Sequence, residues 1–426
     1  MNRRSLLGTA FAVTTAAVSG VAGGVAGTAF ARDTSKQSST NRDIVMKRWS
    51  WGEGTASGAR VDGATLVFDH ATGTTQYTDP ASGVTRTYDT ATWTSPSAGT
   101  SFHVQEIIPS WTASTPGGSF VRIEIQCVTA AGTTTKWYNL GNWAADDTYL
   151  ARTSVAAQGD TDGFVAVDTL IARAGFEFVS WQARITLLRP QGGADSPSVG
   201  SFGTMASALP DPGKLIPSIP GIAQGVILNV PQYSQEVHVG EYPQWDGGGE
   251  AWCSPTSTAM VLAYYGIGPT PEEMSWVDPS YQDPQVDFAA RNTFDFTYNG
   301  CGNWPFNTAY AGRFGASSFV TRLRSLNEAE KFIAAGIPLV GSASFKKNEI
   351  PGMGYGTGGH LMVIVGFTND GRLVLNDPFA PTNAGVRKIV GRAEWEAAWL
   401  NTSRGVVYVI HPSSVALPAP PAQGNW

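Results

Sequence analysis

Cys253 opens the segment Trp252-Cys253-Ser254-Pro255-Thr256-Ser257-Thr258-Ala259-Met260-Val261-Leu262-Ala263-Tyr264-Tyr265-Gly266. Ser254 reads as an N-cap, Pro255 suits the first helical position, and Gly266 suits the C-terminal stop. The helix between them is apolar almost all round, which predicts a central, buried helix. A thiol just ahead of such a helix meets free N–H groups and the positive end of the helix dipole, both of which favour the thiolate. Magnitude decides what else the site needs. Lowering a thiol pKa from about 8.5 to about 4 takes ~6 kcal/mol, and a helix terminus contributes only ~0.3–2 kcal/mol. A cationic partner must supply the rest, and a protonated imidazole is the natural one. The chemistry open to such a pair is nucleophilic attack on a carbonyl carbon.

His360 is the candidate imidazole. It ends the glycine-rich run Gly352 to Gly359 and opens the apolar strand Leu361-Met362-Val363-Ile364-Val365. A turn at Thr368-Asn369-Asp370-Gly371 leads to Leu373-Val374-Leu375-Asn376-Asp377-Pro378, which predicts a β-hairpin. A loop over Phe367 to Asp370 sets Gly366 opposite Gly371 and so His360 opposite Asp377. A two-residue Asp370-Gly371 turn would set Asp377 opposite Ile364, ~13 Å along the strand from His360. The first register, or a bulge with the same effect, lets Asp377 orient the ring and stabilise its charge. Asn376, on the opposite face, is the alternative orienter. An oxyanion formed at the carbonyl needs N–H donors. The Cys253 backbone N–H is one, and Gln235 and Gln244 are both available as the second.

Other residues compete for these roles. Cys301 lies in Asn299-Gly300-Cys301-Gly302-Asn303-Trp304, but no apolar helix is expected after it because Trp304-Pro305 interrupts, so it is the weaker nucleophile. A Cys253–Cys301 disulfide would silence the site. His238 lies in the loop ahead of Cys253 and is a candidate for the cleft lining. Trp245, Trp252 and Trp304 could line a groove or fill the core. Cys127, on the inward comb Val121, Ile123, Ile125, Cys127, reads as inert packing.

These residues need a scaffold, and the chain is long enough for two domains. It has 426 residues, of which 42% are hydrophobic and 15% charged, with a formal net charge of −6. Acidity without a basic run argues against nucleic acid as a partner. Five His and three Cys are too few and too scattered for a zinc module, so no metal or cofactor is expected. Residues 1–31 read as a signal peptide, with Arg3-Arg4 near the start and Ala29-Phe30-Ala31 as a cleavage signal before Arg32. The twin arginines resemble a Tat signal, implying a bacterial protein exported in the folded state. From 44 to 189, short alternating strands between Gly, Pro and Asp turns predict an all-β sandwich or jelly roll. A second comb is Glu177, Val179, Trp181, Ala183, Ile185 and Leu187. Residues 190–222 read as a Pro/Gly/Ser linker, 223–414 as a mixed α+β domain, and 415–426 as a loose tail.

One family carries this series in order. Val230-Pro231-Gln232-Tyr233-Ser234-Gln235, then Cys253-Ser254-Pro255-Thr256-Ser257, then Gly359-His360 and Asn376-Asp377-Pro378 resemble the bacteriocin-processing, C-thirty-nine-like group of papain-like cysteine peptidases. The resemblance covers about Val226 to Pro412. It implies a papain-like fold with Cys253 as nucleophile, His360 as base, Asp377 as orienter and Gln235 as oxyanion donor. Two features depart from the pattern: Ser254 stands where the family has Gly, and Glu236 to Trp252 make a long insertion between Gln235 and the nucleophile. With the leader, the expectation is a secreted peptidase working through a thioester, a monomer acting on a peptide or protein, with the cell wall as one setting for that substrate and no membrane partner after leader removal. Alternatives are an acyltransferase or deamidase using the same triad, or an inactive wall- or glycan-binding protein. For the latter, Trp49, Trp51, Trp93, Trp111, Trp137, Trp143 and Trp181 of the β-rich half are the candidate sugar platform.

Overall fold

The computed structural model describes residues 42–426. The leader expected over 1–31 therefore lies outside the described residues. Two seven-stranded antiparallel sheets form the first half. One is ordered Gly163–Ala166, Thr169–Ala172, Glu106–Ser114, Ser198–Ala208, Thr65–Phe68, Ala59–Asp62, with Asp43–Arg48 also on Ser198–Ala208. The other is built on Phe120–Thr129, Phe178–Pro190 and Thr85–Thr94. Alternation dictates the packing: Val121, Ile123, Ile125 and Cys127 all point inward and are fully buried. The second comb begins later than expected. A bulge between Phe178 and Ser180 resets the pleat, so Phe178 and then Trp181, Ala183, Ile185 and Leu187 face the core, and Glu177 lies outside the strand.

The expected linker over 190–222 is corrected in its first half. Ser198–Ala208 is a central strand, paired with Glu106–Ser114 along one edge. Its Gly, Ser and Thr residues weaken the strand signal, but Val199, Phe202, Met205 and Ala206 are buried in the sandwich. Residues 191–197 and the stretch after Ala208 run without regular structure, and in the latter Ser218 and Gly221 donate their N–H groups to Glu396 and Glu330. The loose tail is corrected as well. Its prolines bar regular structure, yet Met46 donates to Gly424 O, Asn425 is fully buried, and the Trp426 ring packs 4.8 Å from Phe332.

The second half is α+β. Its six antiparallel strands are β1 (Ala316–Arg322), β2 (Leu339–Phe345), β3 (Thr357–Phe367), β4 (Leu373–Asn376), β5 (Arg387–Val390) and β6 (Val406–Pro412), ordered β1-β6-β2-β3-β4-β5. The helices are α1 (Cys253–Tyr264), α2 (Pro284–Thr293), α3 (Trp304–Gly312), α4 (Leu326–Ala334) and α5 (Arg392–Thr402). No described helix is long and apolar enough to cross a membrane.

The halves share one core. Phe306 of α3 packs against Trp111 and Trp143 of the sandwich, at 6.2 and 5.3 Å between ring centroids. Asp168 accepts the N–H of Trp304 at the head of α3 (2.7 Å). Arg152 is fully buried at the seam, donating to Ala144 O (2.9 Å) within its own half and to Arg291 O (2.7 Å) at the end of α2. Burial lowers its pKa to about 10, against the pull of Asp147 and Asp146, and the carbonyls take the place of water. Arg152→Met strips a donor from several buried carbonyls, each orphan costing ~1–3 kcal/mol. We expect the variant to lose roughly 3 kcal/mol or more, read as a lower urea midpoint at unchanged slope. A midpoint matching wild type would show that the seam does not depend on this guanidinium. Six of the seven tryptophans offered as a sugar platform, all but Trp137, are buried in this architecture, and the Trp137 ring is covered by Arg184 at 4.4 Å. The six buried rings are packed inside the sandwich.

Candidate active site

α1 begins at Cys253 itself, with Trp252 as N-cap and no side-chain cap. Ser254, the expected cap, has another use. Its hydroxyl meets the Tyr408 hydroxyl of β6 at 2.9 Å, pinning the helix start to the sheet. That contact also gives a reason for serine where the family has glycine. Cys253 thus occupies the first helical position, where backbone N–H groups have no intrahelical acceptor. The helix stops as expected: Gly266 is left-handed (φ 67°), and Ile267 N–H bonds back to Leu262 O.

Cys253 and Ser257 lie one turn apart on one helix face. Ser257 Oγ donates to Leu361 O (3.1 Å), the residue after His360, which carries the thiol's face of α1 to the imidazole. His360 is buried and lies within hydrogen-bonding reach of the Cys253 side chain. Its Nε2 donates to Asp377 Oδ1 at 2.7 Å, leaving Nδ1 for the thiol. Cys253, His360 and Asp377 are therefore brought together in sequence.

The hairpin reaches this arrangement through a bulge rather than by either regular register. Val363 faces Asn376 and Ile364 faces Leu375, and a bulge before Gly366 sets Gly366 opposite Val374. Asp377 lies beyond the end of β4, and its side chain reaches His360 from the turn rather than from a directly opposed position. Asn376 points elsewhere. It donates to Pro231 O (2.9 Å) and accepts from Arg387 Nε (2.6 Å), mooring the Val230–Gln235 segment to the sheet edge. The alternative orienter is thus a tether.

Asp377 is fully buried and richly bonded. It accepts from the Tyr355 hydroxyl on both oxygens (3.1 Å each) and from Phe379 N–H (3.0 Å), with Lys388 Nζ 3.6 Å away. Burial raises its pKa, but the His360 bond and charge, the Phe379 N–H and Lys388 together hold it below the usual carboxylate range. Burial likewise opposes charge on His360. The bonds to Asp377 and Cys253 outweigh it and raise the imidazole to about 9. The stability carried by the His360 shift is complete below the ordinary value of 6.5 and is lost as pH rises through about 9. That carried by Asp377 is present above its ordinary 3.8 and is lost as pH falls through its depressed value.

Tyr355 is a member of the site that the sequence reading missed. It packs edge-on to the His360 ring at 5.9 Å and against Phe379 at 4.5 Å, so two aromatics shield the His–Asp bond from water. Its signal was available: it is the one aromatic in the run Gly352 to Gly359.

Gln235 is buried, and its N–H donates to Pro378 O (2.9 Å), tying it to the segment after Asp377. Its Nε2 donates to Glu250 O (2.7 Å) and to Glu236 Oε1 (3.2 Å), and its Oε1 has no partner among the described residues. Gln244 is exposed. Cys253, Cys301 and Cys127 are all free, so the silencing disulfide is not formed. Cys301 is fully buried, with its thiol directed at Ala290 O and its pKa pushed up by burial, which makes it a poor nucleophile. Trp245, Trp252 and Trp304 are core residues rather than groove walls. His238 is buried against Glu241 and Asp287.

Two family models match the chain: Peptidase C39 N-terminal domain over residues 42–207, and Peptidase_C39 like family over residues 227–407. No curated protein matches. Among solved structures, a C39-like protein from Bacillus anthracis is similar at 19% identity over 44% of this chain and 97% of that one, with a TM-score of 0.28, too low to add weight.

Proposed function

Because the chain belongs to the C39-like peptidase family, we propose that it is an exported cysteine peptidase that hydrolyses peptide or related amide bonds through Cys253, His360 and Asp377. One observation carries the reading: a single buried imidazole bonds a buried carboxylate at 2.7 Å and reaches the thiol at a helix start with its other side. An imidazole raised to about 9 is protonated at neutral pH, so it can sustain a neighbouring thiolate without a separate base.

The reaction then runs in two halves. The Cys253 thiolate attacks the scissile carbonyl carbon, forming the S–C bond and an oxyanion. His360 passes its proton to the leaving amine as the C–N bond breaks, leaving a thioester. Water attacks the thioester, gives a proton to the now neutral His360, and the S–C bond breaks to return the thiolate. The N-terminus of α1 favours the oxyanion. Gln235 supplies a second donor by exchanging Glu236 Oε1, the longer of its two acceptors, for the oxyanion. The sandwich buttresses α2 and α3 and has no separate binding role in this reading. Export rests on Arg3-Arg4 and Ala29-Phe30-Ala31. The test is profiling of the purified chain, without its leader, on a broad peptide library, with Cys253→Ala alongside. Cleavage products in the wild type alone support the reading, and identical profiles reject it.

A further inference from the structure

The long insertion between Gln235 and Cys253 holds a cluster that the peptidase chemistry does not use. His238 lies one short 3-10 turn after Gln235, Glu241 lies three residues on, and Asp287 projects from α2. One ligand-capable atom from each falls within 4.8 Å of the other two. His238 and Asp287 are fully buried, and the Glu241 side chain is 12% exposed.

The cluster is incomplete as a hydrogen-bonded set. His238 Nδ1 is directed at Glu241 Oε2 (2.7 Å), with Asp287 Oδ2 at 3.3 Å, and neither Asp287 oxygen has a hydrogen-bond partner among the described residues. One N–H is shared between two carboxylates, and a buried carboxylate held by an ion pair alone, with no hydrogen bond, is costly in a dry site. With both acids ionised, even a charged imidazole leaves the three groups with a net negative charge, and His238 is the only basic side chain among the described residues that pairs with either acid. A divalent cation beside a neutral imidazole brings the sum to zero.

We propose that His238, Glu241 and Asp287 hold a divalent transition-metal ion of the zinc class, which staples the loop ahead of the nucleophile to α2. The donor set selects the class. Calcium takes six to eight oxygen ligands and magnesium keeps several waters, whereas one imidazole nitrogen with two carboxylates is a zinc-type set. Ligands ~2.0–2.1 Å from a tetrahedral ion lie ~3.3 Å apart. The His238–Asp287 separation already matches that spacing, and Glu241, on the loop, must withdraw by about 0.6 Å. The expected position of the ion also explains the loop's shape. Gly249 is left-handed (φ 70°), and a Cβ there would come 2.4 Å from the His238 carbonyl carbon, so the loop closes tightly on the His238 backbone. Trp252, the residue before Cys253, packs its ring 5.9 Å from that of His238. The ion would fix the loop and through it Gln235 and the start of α1, without touching substrate.

The test uses the full chain with Cys253→Ala, which removes the thiol–imidazole pair as a competing zinc ligand. After chelator dialysis, titration with zinc chloride alone is followed by calorimetry, by metal content and by thermal melting. One equivalent bound at micromolar affinity or tighter, with a melting temperature raised by a few degrees, is the expected result. Asp287→Asn and Glu241→Gln should each weaken binding at least ~10-fold. If Asp287→Asn does not fold, Glu241→Gln carries the comparison. No binding, or binding that neither variant weakens, overturns the proposal and leaves the three groups sharing a proton. The outcome does not depend on whether the chain is a peptidase.

Discussion

Cys253→Ala should cleave no peptide that the wild-type chain cleaves, a loss of ~10⁴-fold or more in kcat/KM. The size reflects the lack of a substitute nucleophile: Cys127 and Cys301 are fully buried, and burial pushes both thiols up. Cys253→Ser should fail almost as badly. A serine hydroxyl is far less acidic than a thiol and does not yield its proton to form an ion pair with His360, so the ready-made nucleophile is lost. Folding is a poor alternative explanation for either loss. The thiol sits at a helix start that Ser254 and Ser257 also tie to the sheet. Thermal melting of both variants should stay close to wild type, so that assays at equal folded fraction separate chemistry from stability. Residual cleavage within tenfold of wild type would move the nucleophile elsewhere.

Asp377→Ala is expected to cost ~10²–10⁴ in kcat/KM, because it removes both the acceptor that orients His360 and the charge that keeps it protonated. It also leaves His360 and the Tyr355 hydroxyl without their buried partner, and breaking a buried pair costs ~3–5 kcal/mol. Asp377→Asn divides the two roles. An amide oxygen can still accept the Nε2–H and hold the ring, so the loss should be smaller than in Asp377→Ala and should come from the missing charge. The pH profile distinguishes the site from a general loss of stability. In the wild type kcat/KM should fall as pH rises through about 9, where His360 deprotonates. In Asp377→Asn that limb should move to lower pH, since the carboxylate bond and charge are among the causes that raise the imidazole. An alkaline limb that stays in place would mean that Asp377 does not set the state of His360.

The grouping of Cys253, His360 and Asp377, proposed above as the triad, was legible in the sequence because each residue carries a local signature. An apolar helix bounded by Ser-Pro and Gly placed Cys253, a Gly-rich run ahead of an apolar strand placed His360, and a strand ending in Asp-Pro placed Asp377. What joins them was less legible. The bulge before Gly366 has no sequence mark beyond the glycine, and it invalidates both registers that counting from the turn allowed. Ser254 looked like a cap because capping is its commonest use, whereas its acceptor, Tyr408, is 154 residues away. The same long-range problem hid Ser198–Ala208, whose small residues suit a connector until a neighbouring strand supplies both pairing and burial. Periodicity reports faces, and it does so only where no bulge resets the count.

The most direct measurement is the rate at which iodoacetamide alkylates each of the three thiols in the wild-type chain at pH 6, resolved by peptide mass mapping, with His360→Ala in parallel. The account predicts rapid, selective modification of Cys253 in the wild type, slow modification of Cys127 and Cys301, and collapse of the Cys253 rate in His360→Ala. Equal, slow labelling of all three, or a Cys253 rate indifferent to the loss of His360, would contradict an ionised thiol paired to that imidazole.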